Sequence, residues 1–295
     1  MTAVAEPRAA ARERTVTERL VRFLNKTPVH IALGLIALLW LAPTVGLLVT
    51  SFRPRSDIQV TGWWESFLQF RFTLANYQEV LTSQGMLEAF VNTFLIAVPS
   101  TLIPLTLASM AAYAFSWLNF PFRDGLFLLV VALLMIPVQV AFIPLLKLFA
   151  PTGLLNSFGA IWLAHTAFAL PFGIFLLRNF FISLPKDLIE AARIDGSSTI
   201  GIFRQIVVPL SVPAIAAYGI FQFLWVWNDL LMALVFVQRG DMWPMTKAIQ
   251  NLLSQYGTEW HLLAAGAFIL MAVPLLVFFS LQRYFVQGLL AGSVK

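Results

Sequence analysis

The stretch IALGLIALLWLAPTVGLLV, residues 31–49, carries no charge and lies between Lys26 and Arg53. A helix crossing about 30 Å of hydrocarbon needs roughly 20 consecutive apolar residues, and this run has that length. The pattern repeats outward along the chain. FVNTFLIAVPSTLIPLTLASMAAYAFSWLNF (90–120) lies between Glu88 and Arg123, and GLFLLVVALLMIPVQVAFIPLL (125–146) between Asp124 and Lys147. A fourth run ends FGAIWLAHTAFALPFGIFLL (158–177). A fifth reads SVPAIAAYGIFQFLWVWN (211–228) and continues as LLMALVFV (230–237). A sixth is LLAAGAFILMAVPLLVFFSL (262–281). The expected spans are 30–50, 90–115, 125–147, 158–180, 212–236 and 262–284. Backbone polar groups in lipid must pair within their own segment, which makes helices the default. The alternating segments of a transmembrane barrel are absent, and so are the polar faces that helices of a soluble core would need. The expected fold is an all-α integral membrane protein of six transmembrane helices.

Composition agrees. Of 295 residues, 59% are hydrophobic and 11% charged, with a mean hydropathy of +0.82; soluble domains average about 25% charged. An ordinary cytosolic enzyme, a disordered chain and a nucleic-acid-binding domain are excluded. The net charge is +5, but six of the 19 Lys and Arg residues fall within the first 26, so the basic excess reads as a topology signal. With both termini on the cytoplasmic side, 13 Lys and Arg lie inside and six outside: Arg53, Arg55, Arg71, Lys147, Arg239 and Lys247. The expected location is the cell membrane, with both termini cytoplasmic. There is no cysteine, hence no thiolate catalyst, disulfide or zinc–thiolate site. Val16, Leu20, Phe23 and Leu24 recur at helical spacing among arginines, which fits a basic amphipathic helix on the inner leaflet as well as it fits a loosely ordered tail. The expected organisation is a cytoplasmic N-terminal segment (1–29), a six-helix transmembrane domain (30–285) and a cytoplasmic tail (286–295).

The longest cytoplasmic connection reads NFFISLPKDLIEAARIDGSSTIGIFRQIVVPLS (179–211). Ser183 can cap a short helix, with Pro185 in its first turn. Leu184, Leu188, Ala191 and Ala192 then form one apolar face. Gly196 suits a left-handed helix end. Ser197 or Ser198 can cap a second helix, with Ile202, Phe203 and Ile206 as its apolar face and Pro209 as its stop. Connections between packed elements usually span 2–8 residues. A structured loop this long either joins two spans or serves as a docking surface.

The segment resembles the EAA loop of ABC-importer permeases: Glu190-Ala191-Ala192, three residues, Gly196, nine residues, Ile206, one residue, then Val208-Pro209, where the family has Leu-Pro. TSFRP (50–54), NTFLIA (92–97), LPFGIFLLRNFF (170–181), WNDLLMAL (227–234) and the tail QRYFVQGLLAGSVK (282–295) extend the likeness to the MalG-like half of maltose-type carbohydrate systems, the MetI/MalG-like type I importer fold. The resemblance implies a coupling loop at 183–211. Glu190, Ala191, Ala192, Asp195 and Gly196 would meet a cytoplasmic ATPase subunit, and Gly292, Ser293, Val294 and Lys295 would reach the ATPase interface. It also implies the partners: a second, MalF-like permease, two copies of the ATP-binding subunit holding ATP and Mg, and an extracytoplasmic sugar-binding protein received by the 238–260 loop. The implied cargo is a di- or oligosaccharide such as an α-glucoside (maltose, trehalose, sucrose or similar); glycerol phosphate or a polyol is the alternative.

The chain has no G-x-x-x-x-G-K-[ST] phosphate loop, no G-x-S-x-G and no H-E-x-x-H, and His30, His165 and His261 are far apart. The chain is therefore not expected to be an enzyme or to bind a cofactor or metal itself, and a separate polypeptide would hydrolyse ATP. Polar residues in the spans are the candidates for a translocation path: Asn228, Asp229, Gln222, Tyr218, Gln139 and His165. An ionisable group at membrane depth is expensive, about 2.5–3.5 kcal/mol on insertion scales, so Asp229 either lines the path or pairs with a neighbouring helix. His165 is as easily a packing residue. Trp63, Trp64, Trp243 and Trp260 suit interface anchoring. A self-contained secondary transporter would show internal repeats or several intramembrane charges, and a membrane-embedded enzyme a cluster of catalytic groups; neither is evident.

Overall fold

The computed structural model describes residues 16–83, 85–255 and 259–291. The tail residues Gly292, Ser293, Val294 and Lys295 lie outside them. The first helix, α1 (Val16–Ser51), runs without interruption through the 29/30 boundary expected between tail and first span. Its apolar part, Thr27–Ser51, is long enough to cross a membrane yet is hardly buried by its own chain; Leu38 and Trp40 are 67% and 78% exposed. Near its end Gly46 passes under Trp63, where a Cβ would lie 3.0 Å from the indole nitrogen.

Residues 52–74 form short helical turns that cap this end of the molecule. Arg53 organises them. It is buried, and its guanidinium donates to the carbonyls of Asp57 and Thr61 and to the Thr61 hydroxyl. Asn76 donates to the carbonyls of Ser51 (2.8 Å) and Arg53 (2.9 Å), tying the cap to α2 (Ala75–Ser83). Carbonyls that accept from a buried guanidinium offset part of the cost of burying this cation.

The second span joins α3 (Met86–Ala97) and α4 (Pro99–Trp117), 32 residues in all. The third is broken. α5 (Arg123–Leu133) and α6 (Phe142–Phe149) are separated by a turn at Pro137 and a 3₁₀ segment, and the chain bends there by 99°. Proline lacks the N–H that would continue the ladder. The fourth span, α7 (Phe158–Phe181), is capped by the Ser157 hydroxyl, which accepts from Ala160 N at 3.3 Å.

Two short helices follow, α8 (Lys186–Ile194) and α9 (Thr199–Ile202), the second extended by a π turn (Phe203–Val207) and by Val208–Leu210. The stop falls at Ser211, where the chain bends by 78° into α10 (Val212–Trp227), and not at Pro209. The fifth span then breaks again at 228–230 before α11 (Leu231–Phe236). α12 (Met245–Gln255) lies between this break and α13 (Trp260–Ala291), whose portion Trp260–Arg283 is the sixth candidate span. Four long helical stretches and two bent pairs thus give six spans when each bent pair is one crossing.

The core is a helix-on-helix core of small and aromatic side chains. Ala108 and Ala112 on α4 and Ala160 and Ala164 on α7 are wholly buried; small residues let membrane helices approach closely. Trp227 is wholly buried, donates to Leu270 O at 2.9 Å and meets Phe94, Phe223 and Phe90 at 4.8, 5.3 and 6.1 Å. A separate cluster of Phe181, Leu184, Ile189, Ile202, Val207 and Tyr218 seats the α8–α9 elbow.

Candidate functional site

The elbow is a preformed platform. Asp195 ends α8 and Gly196 turns the chain at φ +80°. Ser197 N donates to Ala192 O (2.9 Å) and Gly196 N to Arg193 O (3.1 Å), the paired bonds of a Schellman end. The Ser198 hydroxyl caps α9 through Gly201 N at 3.1 Å. Ser183 does not cap α8; its hydroxyl donates back to Phe180 O at 2.6 Å, and Pro185 takes the cap position. Two links fix the elbow to α4: Arg193 donates to Trp117 O (2.8 Å) and Tyr113 OH to Thr199 O (3.1 Å).

The expected apolar face of α8 is divided. Leu184 and Ala192 are buried, joined by Ile189, which lies outside the expected face. Leu188, Glu190 and Ala191 face outward instead, together with Ile194 (85% exposed) and, from α9, Ile200 (67%). Asp195 and Gly196 are exposed at the turn. The outward strip is apolar and rimmed by carboxylates.

The polar candidates in the spans separate into three places. Asn228 is exposed in a groove of about 810 Å³ whose wall also includes Thr44, Thr246, Gln250, Trp260 and Met271. Its amide donates to Leu224 O at 2.8 Å. Asp229 turns the other way, accepting from Met232 N at 2.9 Å and thereby capping α11; His165, wholly buried, lies 3.8 Å from the same carboxylate oxygen. Gln222 is buried, donates to Ser100 O (3.1 Å) and borders a second cavity of about 540 Å³ at the break in the third span, among Val138, Phe168, Phe172 and Trp225. Gln139 sits exposed on the 3₁₀ turn beside it and does not line it. Tyr218 is wholly buried, donating to Ala169 O at 3.0 Å, and borders neither space.

At the end opposite α8, five of the six cations expected outside are engaged within the fold. Besides Arg53, Arg55 pairs with Glu259, Arg71 with Asp57 (3.3 Å) and Arg239 with Asp241 (2.7 Å). The Arg239 guanidinium holds Asp241 below the usual carboxylate range through that hydrogen-bonded contact. Lys247 is buried, donates to Val237 O and stands 5.0 Å over the Trp243 ring; burial lowers its pKa. Asn92 closes the same loop on α3 by donating to Asp241 O at 2.9 Å. Sequence reasoning assigned these cations to the outer side and had no signal for their anchoring role. Among the described residues no group of His, Asp or Glu is arranged to hold a metal ion.

Four long apolar helices, two bent helix pairs and a capped elbow at one end define a multi-span membrane protein. The family comparison places it. Residues 104–290 match the binding-protein-dependent transport system inner membrane component, and the chain belongs to that family. It is 54% identical over 284 residues, 95% of each chain, to the osmoprotective compounds uptake permease protein GgtD of Synechocystis sp.. It is 51% identical over 231 residues to the alpha-glucoside transport system permease protein AglG of Rhizobium meliloti, covering 76% of this chain and 61% of that one. An arabinooligosaccharides permease, AraQ of Halalkalibacterium halodurans, is 34% identical over 266 residues, 90% of this chain and 95% of that one. In fold it matches a chain of a bacterial alginate ABC transporter solved with an alginate pentasaccharide-bound periplasmic protein, at a TM-score of 0.66 and 14% identity, over 90% of this chain and 96% of that one. The chain is thus the inner-membrane component of a binding-protein-dependent transport system.

Proposed function

We propose that this chain is the MalG-like half of an importer for a neutral α-glucoside or a related glycosidic osmolyte. The observation that carries the cargo is the identity above 50% to two permeases, one named for osmoprotective compounds and one for alpha-glucosides. In this reading both termini are cytoplasmic. A second, homologous permease completes the pathway, and two ATP-binding subunits hold ATP and Mg. A binding protein on the outer face delivers the sugar to the 238–260 loop.

The elbow supplies the mechanism. Leu188, Ala191 and Ile194 enter a cleft of the ATPase, and Glu190 pairs with a basic group at its edge. Gly196 and Asp195 keep the turn compact. Because α8 and α9 are each bonded to α4, a displacement of the elbow is carried to that span. Asn228 and the groove beside it form part of the wall that the sugar passes. An aromatic ring and amides at one surface suit a sugar's apolar face and hydroxyls.

The test is coexpression with the adjacent importer genes, copurification, and uptake by proteoliposomes offered a panel of loaded binding protein: trehalose, sucrose, maltose, a glucosylated polyol and glycerol phosphate. The expected result is ATP-dependent uptake of one or more glucosides. Uptake confined to glycerol phosphate would overturn the cargo, and uptake without ATP would overturn the architecture.

A further inference from the structure

The fifth span stops at Trp227 and resumes at Leu231, and Asp229 stands in the gap bonded to two elements. Its Oδ2 accepts from Met232 N at 2.9 Å on α11, and its carbonyl accepts from the Thr246 hydroxyl at 2.8 Å on α12. A third element comes close without bonding: His165 Nε2 of α7 is 3.8 Å from Oδ2, beyond hydrogen-bonding distance. His165 is wholly buried, edge-on to Trp225 at 5.9 Å, and neither ring nitrogen has a hydrogen-bond partner among the described residues.

An imidazole buried without a partner is unfavourable, and Asp229 is the group placed to answer it. The gap to a direct bond is about 1 Å, the size of the small shifts by which packed helices change arrangement. The neighbouring residue, Asn228, and the bonded partner Thr246 both line the large groove. A movement of that wall therefore moves Asp229 relative to α7.

We infer that His165 is a positioning residue for transport. By bonding to Asp229 in one transport state and releasing it in the other, it sets the angle of the break at 228–230 and ties the groove wall to α7. The inference rests on the importer reading above. It differs from a lining role, because His165 borders neither cavity.

The test uses the assembled complex in proteoliposomes with saturating ATP and sugar-loaded binding protein. Wild type is compared with His165→Ala, His165→Gln, Asp229→Asn and the double variant His165→Ala with Asp229→Asn. Asparagine keeps the acceptor that caps α11, and glutamine keeps a donor near Nε2, so these two variants report even where alanine fails to assemble. His165→Ala and Asp229→Asn are each expected to lower the maximal uptake rate by roughly tenfold, an effect of the size seen for residues coupling two elements. KM for the loaded binding protein stays within about twofold. The double variant equals the slower single variant, because both act on one contact, alanine removing it and asparagine removing the charge that strengthens it, and His165→Gln recovers to within about threefold of wild type. Multiplying losses in the double variant, a glutamine variant as slow as alanine, or unchanged uptake in His165→Ala would each overturn the inference. Failure of the importer reading looks different: wild type itself would take up sugar without ATP.

Discussion

Two glycines are required for opposite reasons. At Gly196 there is open space for a side chain, with nothing within 4 Å of an added Cβ, and the obstacle is the left-handed backbone at φ +80°. At Gly173 space itself is the obstacle, since an added Cβ would lie 2.3 Å from the Tyr218 ring, a buried aromatic packed between α7 and α10. Alanine at 196 should therefore cost about 1–2 kcal/mol and act locally, loosening the turn after α8. Alanine at 173 should separate two spans, an overpacking effect of about 1–3 kcal/mol. Thermal melting of the purified complex distinguishes the two. Gly173→Ala lowers the transition, and pairing it with Tyr218→Leu restores part of the loss. Gly196→Ala lowers the transition by an amount that Tyr218→Leu does not restore, and it lowers sugar-stimulated ATP hydrolysis.

Among elements, the α8–α9 elbow was the most legible from sequence, and the reason is local chemistry. Gly196 and Ser198 act through their own backbone neighbours, so a glycine and a serine in the right order suffice to place a helix end and a cap. What periodicity could not supply was direction. The spacing of Leu184, Leu188, Ala191 and Ala192 defines a stripe, but which edge of it faces the core depends on Phe181, Ile202 and Val207, which arrive from other elements. Ile189 was missed on that account. The same limit applies to the third span. Pro137 was visible, whereas the 99° bend and the aromatic cavity behind it arise from packing against α7 and α10. The outward position of Leu188 and Ile194 leads to a prediction at this scale. Glutamate at either position removes no internal contact of a buried residue and should leave the fold within about 0.5 kcal/mol, as surface changes do. It should abolish recovery of the ATP-binding subunit when the detergent-solubilised chain is pulled down. Retention of that subunit by both variants would show that α8 docks elsewhere.

For the whole molecule, the asymmetry between the two ends is the fact that orientation must explain. At the end bearing Arg53, Arg55, Arg71, Arg239 and Lys247, each of these cations is bonded to a carbonyl or a carboxylate of the same cap. They tie a polar loop layer over the bundle. The other end carries the larger share of Lys and Arg, 13 of 19 when both termini are assigned to it, which is the bias that holds a membrane chain's loops in the cytoplasm. The absence of cysteine makes the orientation directly measurable, since any introduced thiol is unique. Val60 is 77% exposed in the cap and Ile194 is 85% exposed on α8, so neither substitution disturbs packing. In intact cells a membrane-impermeant maleimide should label Val60→Cys and spare Ile194→Cys. After permeabilisation both should react, and Ile194→Cys should be shielded again when the ATP-binding subunits are coexpressed. Labelling of Ile194→Cys in intact cells would invert the topology and separate α8 from any cytoplasmic ATPase. Labelling only after permeabilisation, lost on coexpression, would place the exposed strip of α8 under the subunit that drives transport.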